Sequence, residues 1–123
     1  MPVCLVVDDE PFVRRYISTI LQREEFRTLE AEDGAHALQM VRELGGGVDL
    51  IVSDIQMPNG DGLSFAQAIR QTFPTVRIIL VSGNTLPEAG SDFEFVKKPF
   101  LPGALMSVVW KLVKHGLASE RLA

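Results

Sequence analysis

The feature that most constrains this chain is a repeated pairing: a short, continuous apolar run, then a longer segment of helical period. Val3 to Val7 is the first such run, and Pro11 to Glu24 behind it sets Val13, Ile17, Ile20 and Leu21 at helical spacing. Arg27 to Ala31 reads as a second strand. Ala35 to Leu44 reads as a helix with Ala37, Leu38, Val41 and Leu44 on one side, closed by Gly45-Gly46-Gly47. Asp49 to Ser53 is a third strand, followed by a helix from Gly62 to Phe73 with Ala66, Ile69 and Phe73 inward, stopped at Pro74. Val76 to Val81 and Phe93 to Lys97 are the fourth and fifth strands. A last helix is expected from about Leu101 to His115, with Pro102 suited to its first turn and Gly116 to its end.

Strands that are apolar throughout are buried on both faces, and right-handed crossovers place helices over each face. The expected class is therefore α/β, a five-stranded parallel sheet in one domain. A chain of 123 residues with 46% hydrophobic side chains has material for one core and no length for two. Residues 1–123 are read as a single domain, with 1–115 as core and 116–123 as a C-terminal tail. The net charge of −4, with Lys and Arg scattered, argues against a nucleic-acid surface. Asp8, Asp9 and Glu10 cut short the first apolar run, which excludes a signal peptide or membrane span there and implies a cytoplasmic protein. Cys4, the single cysteine, is expected as a buried, inert thiol, and His36 and His115 as isolated surface residues.

In such a sheet ligands bind at the C-terminal strand ends. Asp8 and Asp9 follow strand one, Asp54 follows strand three, Ser82 follows strand four and Lys98 follows strand five. Carboxylates brought within about 4 Å repel by several kcal/mol even at an effective dielectric near 20, so three together call for a cation or for raised pKa values. Mg²⁺ fits oxygen donors without Cys or His. An Asp nucleophile, a divalent metal, a lysine and a hydroxyl are what phosphoryl transfer to a carboxylate requires. Each residue alone has a plainer reading: an acidic pair as a helix cap, Ser82-Gly83 as a turn, Lys98 as a solvated lysine. Their joint placement at four strand ends is what points to chemistry. A nucleotide fold is excluded because Asp-Asp-Glu-Pro stands where a glycine-rich phosphate loop would be.

The runs Val6-Val7-Asp8-Asp9-Glu10, Ser53-Asp54-Ile55-Gln56-Met57-Pro58, Asp61-Gly62, Val81-Ser82-Gly83 and Lys97-Lys98-Pro99-Phe100 resemble the blocks of response-regulator receiver domains, in order and across nearly the whole chain. The resemblance implies a flavodoxin-like strand order 2-1-3-4-5. It implies that Asp54 takes phosphate from a histidine kinase or histidine phosphotransfer protein, with Asp8, Asp9, Asp54 and the Gln56 carbonyl serving Mg²⁺, Asp8 mainly through metal-bound water. Ser82 and Lys98 would meet phosphoryl oxygens, and a cis peptide before Pro99 would help aim Lys98. Phe95 would be the switch aromatic, and Gln56 and Asn84 would tune the lifetime of the acyl phosphate. Such a domain is a self-dephosphorylating switch rather than a turnover enzyme.

Two departures stand out. Gly83 to Asp92 is short and carries Pro87 and two glycines, so the helix that receivers usually keep between strands four and five is expected to be shortened or absent. The last helix carries two apolar stripes, Leu101, Leu105, Val108 and Leu112 beside Met106, Val109, Trp110 and Val113, and the second is a candidate partner or homodimer face. Two other function classes remain as alternatives. One is a haloacid-dehalogenase-like Mg²⁺ hydrolase, which would need an Asp-x-Asp loop after strand one; the other is a pseudo-receiver that binds a partner without taking phosphate.

Overall fold

A computed structural model describes residues 1–57, 62–83 and 93–122, with 114–122 described by their backbone. Five strands, β1 (Val3–Val7), β2 (Arg27–Ala31), β3 (Leu50–Asp54), β4 (Arg77–Ser82) and β5 (Glu94–Lys97), form one sheet in the order β2-β1-β3-β4-β5, all pairs parallel. The helices are α1 (Pro11–Arg23), α2 (Gly34–Glu43), α3 (Gly62–Thr72) and α4 (Pro102–Leu122). Among the described residues no helix is long and apolar enough to cross a membrane.

Successive side chains of a strand point to opposite faces, and here both faces are apolar. Cys4, Val6, Leu50, Val52, Ile79 and Val81 point to one side, where Ile17, Ile20 and Leu21 of α1 and Leu105, Met106, Val109 and Val113 of α4 cover them. Leu5, Val7, Ile51, Ile78 and Leu80 point to the other, under Ala37 and Val41 of α2 and Phe65, Ala66 and Ile69 of α3. This double burial is why the strands are legible as unbroken apolar runs.

Local chemistry sets the boundaries. Pro11 occupies the first turn of α1, where its missing N–H costs nothing. Asp33 caps α2, its Oδ1 accepting from the His36 amide at 2.8 Å. The turn that follows α2 passes through Gly46 at φ 78°, where a Cβ would also press on the Phe73 ring. β3 begins at Leu50, one residue after Asp49, whose carboxylate accepts the Val3 amide at 2.8 Å.

The structure corrects several expectations. Leu44 sits at the C-terminal cap of α2 and is exposed, as is Leu101, which precedes α4. Phe73 is only partly buried. Gly116 does not end the last helix, which runs to Leu122: an interior glycine costs about 1 kcal/mol, and Leu117, Ala118, Glu120 and Arg121 are good helix formers. The stripe proposed as a partner or homodimer face is mostly core. Met106, Val109 and Val113 are buried, because α4 packs on the sheet in the same cluster as α1 and buries a wide arc. Of that stripe only Trp110 stays accessible, its ring centroid 6.0 Å from that of Phe26. The shortened helix expected between strands four and five lies outside the described residues, as do Asn84 and the side chain of His115; His36 is exposed.

Candidate functional site

Parallel registration brings the site together. Asp54 ends β3 opposite Val81, and Ser82 ends β4 opposite Lys97, so Asp54, Ser82 and Lys98 step across adjacent strand ends. Asp8 follows β1 on the other side of β3. The carboxylate oxygens of Asp8, Asp9 and Asp54 all lie within 4.8 Å of one another. Asp8 and Asp54 are buried and Asp9 is exposed, so the cluster opens to solvent on one side.

The two buried acids are held by backbone. Asp8 Oδ1 accepts from the Glu10 amide at 2.9 Å, closing the turn into α1. Asp54 Oδ1 accepts from the Gln56 amide at 3.2 Å. The chain leaving Asp54 is pinned by the Ile55 amide donating to the Val81 carbonyl at 2.9 Å and the Gly62 amide to the Ile55 carbonyl at 2.7 Å. Gly62 must be glycine here, because a Cβ would overlap the Asp54 carbonyl.

Lys98 bridges the acids. Its Nζ lies 3.0 Å from Asp8 Oδ2 and 3.3 Å from Asp54 Oδ2, and its own amide donates to the Ser82 carbonyl at 2.7 Å. The Lys98–Pro99 peptide is cis. Ser82 is buried. Burial raises the Asp54 pKa above its usual 3.8, and the Asp8 charge adds to this, while Lys98 and the Gln56 amide counteract only part. Burial alone would lower the Lys98 pKa; Asp8 and then Asp54 outweigh it and hold the ammonium charged. Three carboxylates thus face one ammonium among the described residues, an oxygen-rich, cation-deficient cluster that fits a hard divalent ion better than zinc. Phe95 is half-buried in the cluster beneath α2 and α3, at the edge of the sheet. Gln56 is exposed, with its amide engaged at Asp54.

Residues 4–109 match the family model described as the response regulator receiver domain. The chain belongs to the response-regulator receiver family. As a receiver domain of two-component signalling it is 37% identical over 117 residues to the sensor kinase CckA of Brucella abortus, across 89% of this chain and 12% of that protein. It therefore spans only a small part of that relative's length. It is 33% identical over 120 residues to the chemotaxis protein CheY of Treponema pallidum, covering 97% of this chain and 78% of that one. Among solved structures, the response regulator TrrA of Thermotoga maritima in complex with Mg²⁺-BeF superposes with a TM-score of 0.80 at 35% identity, over 91% of this chain and 99% of that one. The receiver fold, the strand order and the acidic cluster expected from the resemblance are all present.

Sequence reasoning passed over the residues that brace the site. Arg14 Nη1 donates to the Asp8 carbonyl at 2.7 Å, while its Nε pairs with Glu30 Oε1 at 3.0 Å. One signal was available: Arg14 falls one helical turn past Glu10, facing back toward the acidic turn. Tyr16, whose hydroxyl reaches Phe100, carried no such signal.

Proposed function

We propose that this receiver domain takes a phosphoryl group onto Asp54 from the phosphohistidine of a histidine kinase or histidine phosphotransfer protein, with Mg²⁺, and acts as a cytoplasmic switch rather than a turnover enzyme. The observation that carries the reading is the bridged cluster, with Asp8, Asp9 and Asp54 within 4.8 Å and Lys98 between two of them. That TrrA was solved with Mg²⁺-BeF supports the choice of metal.

An Asp54 carboxylate oxygen attacks phosphorus as the P–N bond to the donor imidazole breaks, its electron pair leaving with the ring. Burial disfavours the Asp54 ion and Lys98 offsets only part of this, so a bound cation would stabilise the carboxylate that attacks. Asp8, Asp9, Asp54 and the Gln56 carbonyl would hold Mg²⁺, which when bound neutralises the cluster and polarises a phosphoryl oxygen. Lys98, freed from part of its pairing with Asp54, meets a second oxygen, and Ser82 donates to a third. Phosphorylation adds roughly −1.5 to −2 charges beside Ser82. Drawing Ser82 inward would let Phe95 turn behind it, and Gln56 and Asn84 would set how long the acyl phosphate lasts.

Intact mass after incubation with acetyl phosphate and Mg²⁺ tests the reading. Wild type should gain one labile phosphoryl group, lost with EDTA and in Asp54→Asn. A folded protein that binds Mg²⁺ and takes no phosphoryl group would establish the pseudo-receiver alternative instead.

A further inference from the structure

Helix α1 touches Asp8 and the segment that carries Lys98. From residue 14 it grips Asp8, through the Arg14 hydrogen bond to the Asp8 carbonyl at 2.7 Å. From residue 16 it grips the segment that carries Lys98: the Tyr16 hydroxyl donates to the Phe100 carbonyl at 2.8 Å, and the two rings pack with centroids 5.8 Å apart. Phe100 lies two residues beyond Lys98, whose amide is tied to the Ser82 carbonyl at 2.7 Å. The segment from Lys98 to Phe100 is thus anchored at its start by β4 and at its end by Tyr16.

We infer that Tyr16 is a positioning residue for Lys98, and that its hydrogen bond to Phe100 sets how firmly the ammonium is held between Asp8 and Asp54. A lysine side chain has four rotatable bonds, so the position of its backbone decides how much of the time Nζ stays within hydrogen-bond reach of both acids. At the reported distances Lys98 serves two opposed purposes. It is ready to meet a phosphoryl oxygen, and it neutralises part of the charge that would attract a cation. Loosening it should slow phosphoryl uptake while tightening divalent-metal binding. A general weakening of the fold would impair both together.

This inference rests on the phosphoacceptor reading for its rate but not for its metal arm. Tyr16→Phe keeps the ring and removes only the hydroxyl. Phosphoryl uptake from acetyl phosphate at saturating Mg²⁺ should fall about threefold to tenfold, the equivalent of about 0.7–1.4 kcal/mol, a normal loss for one hydrogen bond. Calorimetric Mg²⁺ titration of the same variant should show affinity raised about twofold to threefold, a fraction of the charge interaction between Lys98 and the acids. In a Lys98→Met background, where no ammonium remains to be placed, Tyr16→Phe should leave Mg²⁺ affinity unchanged. Equal rates and affinities in wild type and Tyr16→Phe would overturn the inference, as would a metal effect that persists in Lys98→Met. If wild type takes no phosphoryl group, the phosphoacceptor reading fails, and the metal titrations still decide the role of Tyr16.

Discussion

Strand β3 is bracketed by two aspartates that fare very differently. At its start, Asp49 is fully employed: its carboxylate accepts the Val3 amide at 2.8 Å, its own amide donates to the Val3 carbonyl at 2.9 Å, and its carbonyl accepts the Arg77 amide at 3.1 Å. At its end, Asp54 is buried beside two other acids, with its ionisation disfavoured. In a parallel sheet every strand start presents amides and every strand end presents carbonyls, so an acid at the first edge is stabilised and acids gathered at the second are not. Asp49 holds the fold together, whereas Asp54 is kept at a cost that only chemistry explains.

The largest expected effect at the Asp54 end comes from Gly62→Ala, whose Cβ would overlap the Asp54 carbonyl. It should destabilise by at least about 2–3 kcal/mol, the scale of overpacking against backbone, measured by urea denaturation. Unchanged stability would mean that the close approach of α3 to β3 is not required.

At the other end, Asp49→Ala should cost about 1–2 kcal/mol by stranding the Val3 amide, while phosphoryl uptake by the folded protein stays at the wild-type rate. A loss of uptake without a loss of stability would erase the division of labour between the two aspartates.

Asp54→Asn should do the reverse of Asp49→Ala. In metal-free buffer at neutral pH it should stabilise, within the roughly 0.5–3 kcal/mol span of single substitutions, because it removes a buried charge that Lys98 only partly compensates. Added Mg²⁺ should stabilise wild type and not the variant, closing the gap. A variant less stable than wild type without metal would show that the Lys98 pairing outweighs burial.

The smallest effect is in pH. The folded-state pKa of Asp54 is raised, so between its ordinary value of 3.8 and that raised value the folded state binds more protons than the unfolded one, and this group's contribution to stability falls as pH rises. The stability advantage of Asp54→Asn in metal-free buffer should therefore shrink as pH falls from neutral through the raised pKa, and be gone below 3.8. Lys98 works at the far end of the scale: its raised pKa gives stability present at and below 10.5, lost only as pH climbs through the folded value. A gap that widens on acidification would reverse the sign assigned to Asp54.

How much of this was legible depends on what each element buries. β1 and β2 were readable to the residue, because a short run bounded on both sides by polar or turn residues leaves few alternatives, and Asp8, Asp9, Asp54, Ser82 and Lys98 were readable as strand-end residues. Strand order was not, since continuous apolar runs name no neighbour; it came with the family resemblance. The α4 arc was misread because periodicity reports that a face is apolar, not what covers it, and only the fold reveals that Met106, Val109 and Val113 share one buried cluster with α1 and the sheet. The direct Lys98–Asp8 contact was also beyond the sequence, as were Arg14 and Tyr16, whose roles depend on side chains reaching backbone carbonyls in distant segments.

The most direct test of the central claim is to locate the modification. Borohydride reduction of an aspartyl phosphate gives homoserine, so wild type treated with acetyl phosphate and Mg²⁺, reduced, digested and sequenced by mass spectrometry should carry homoserine at position 54. Homoserine at Asp8, Asp9 or any other acid, or none after stoichiometric phosphorylation, would contradict Asp54 as the acceptor.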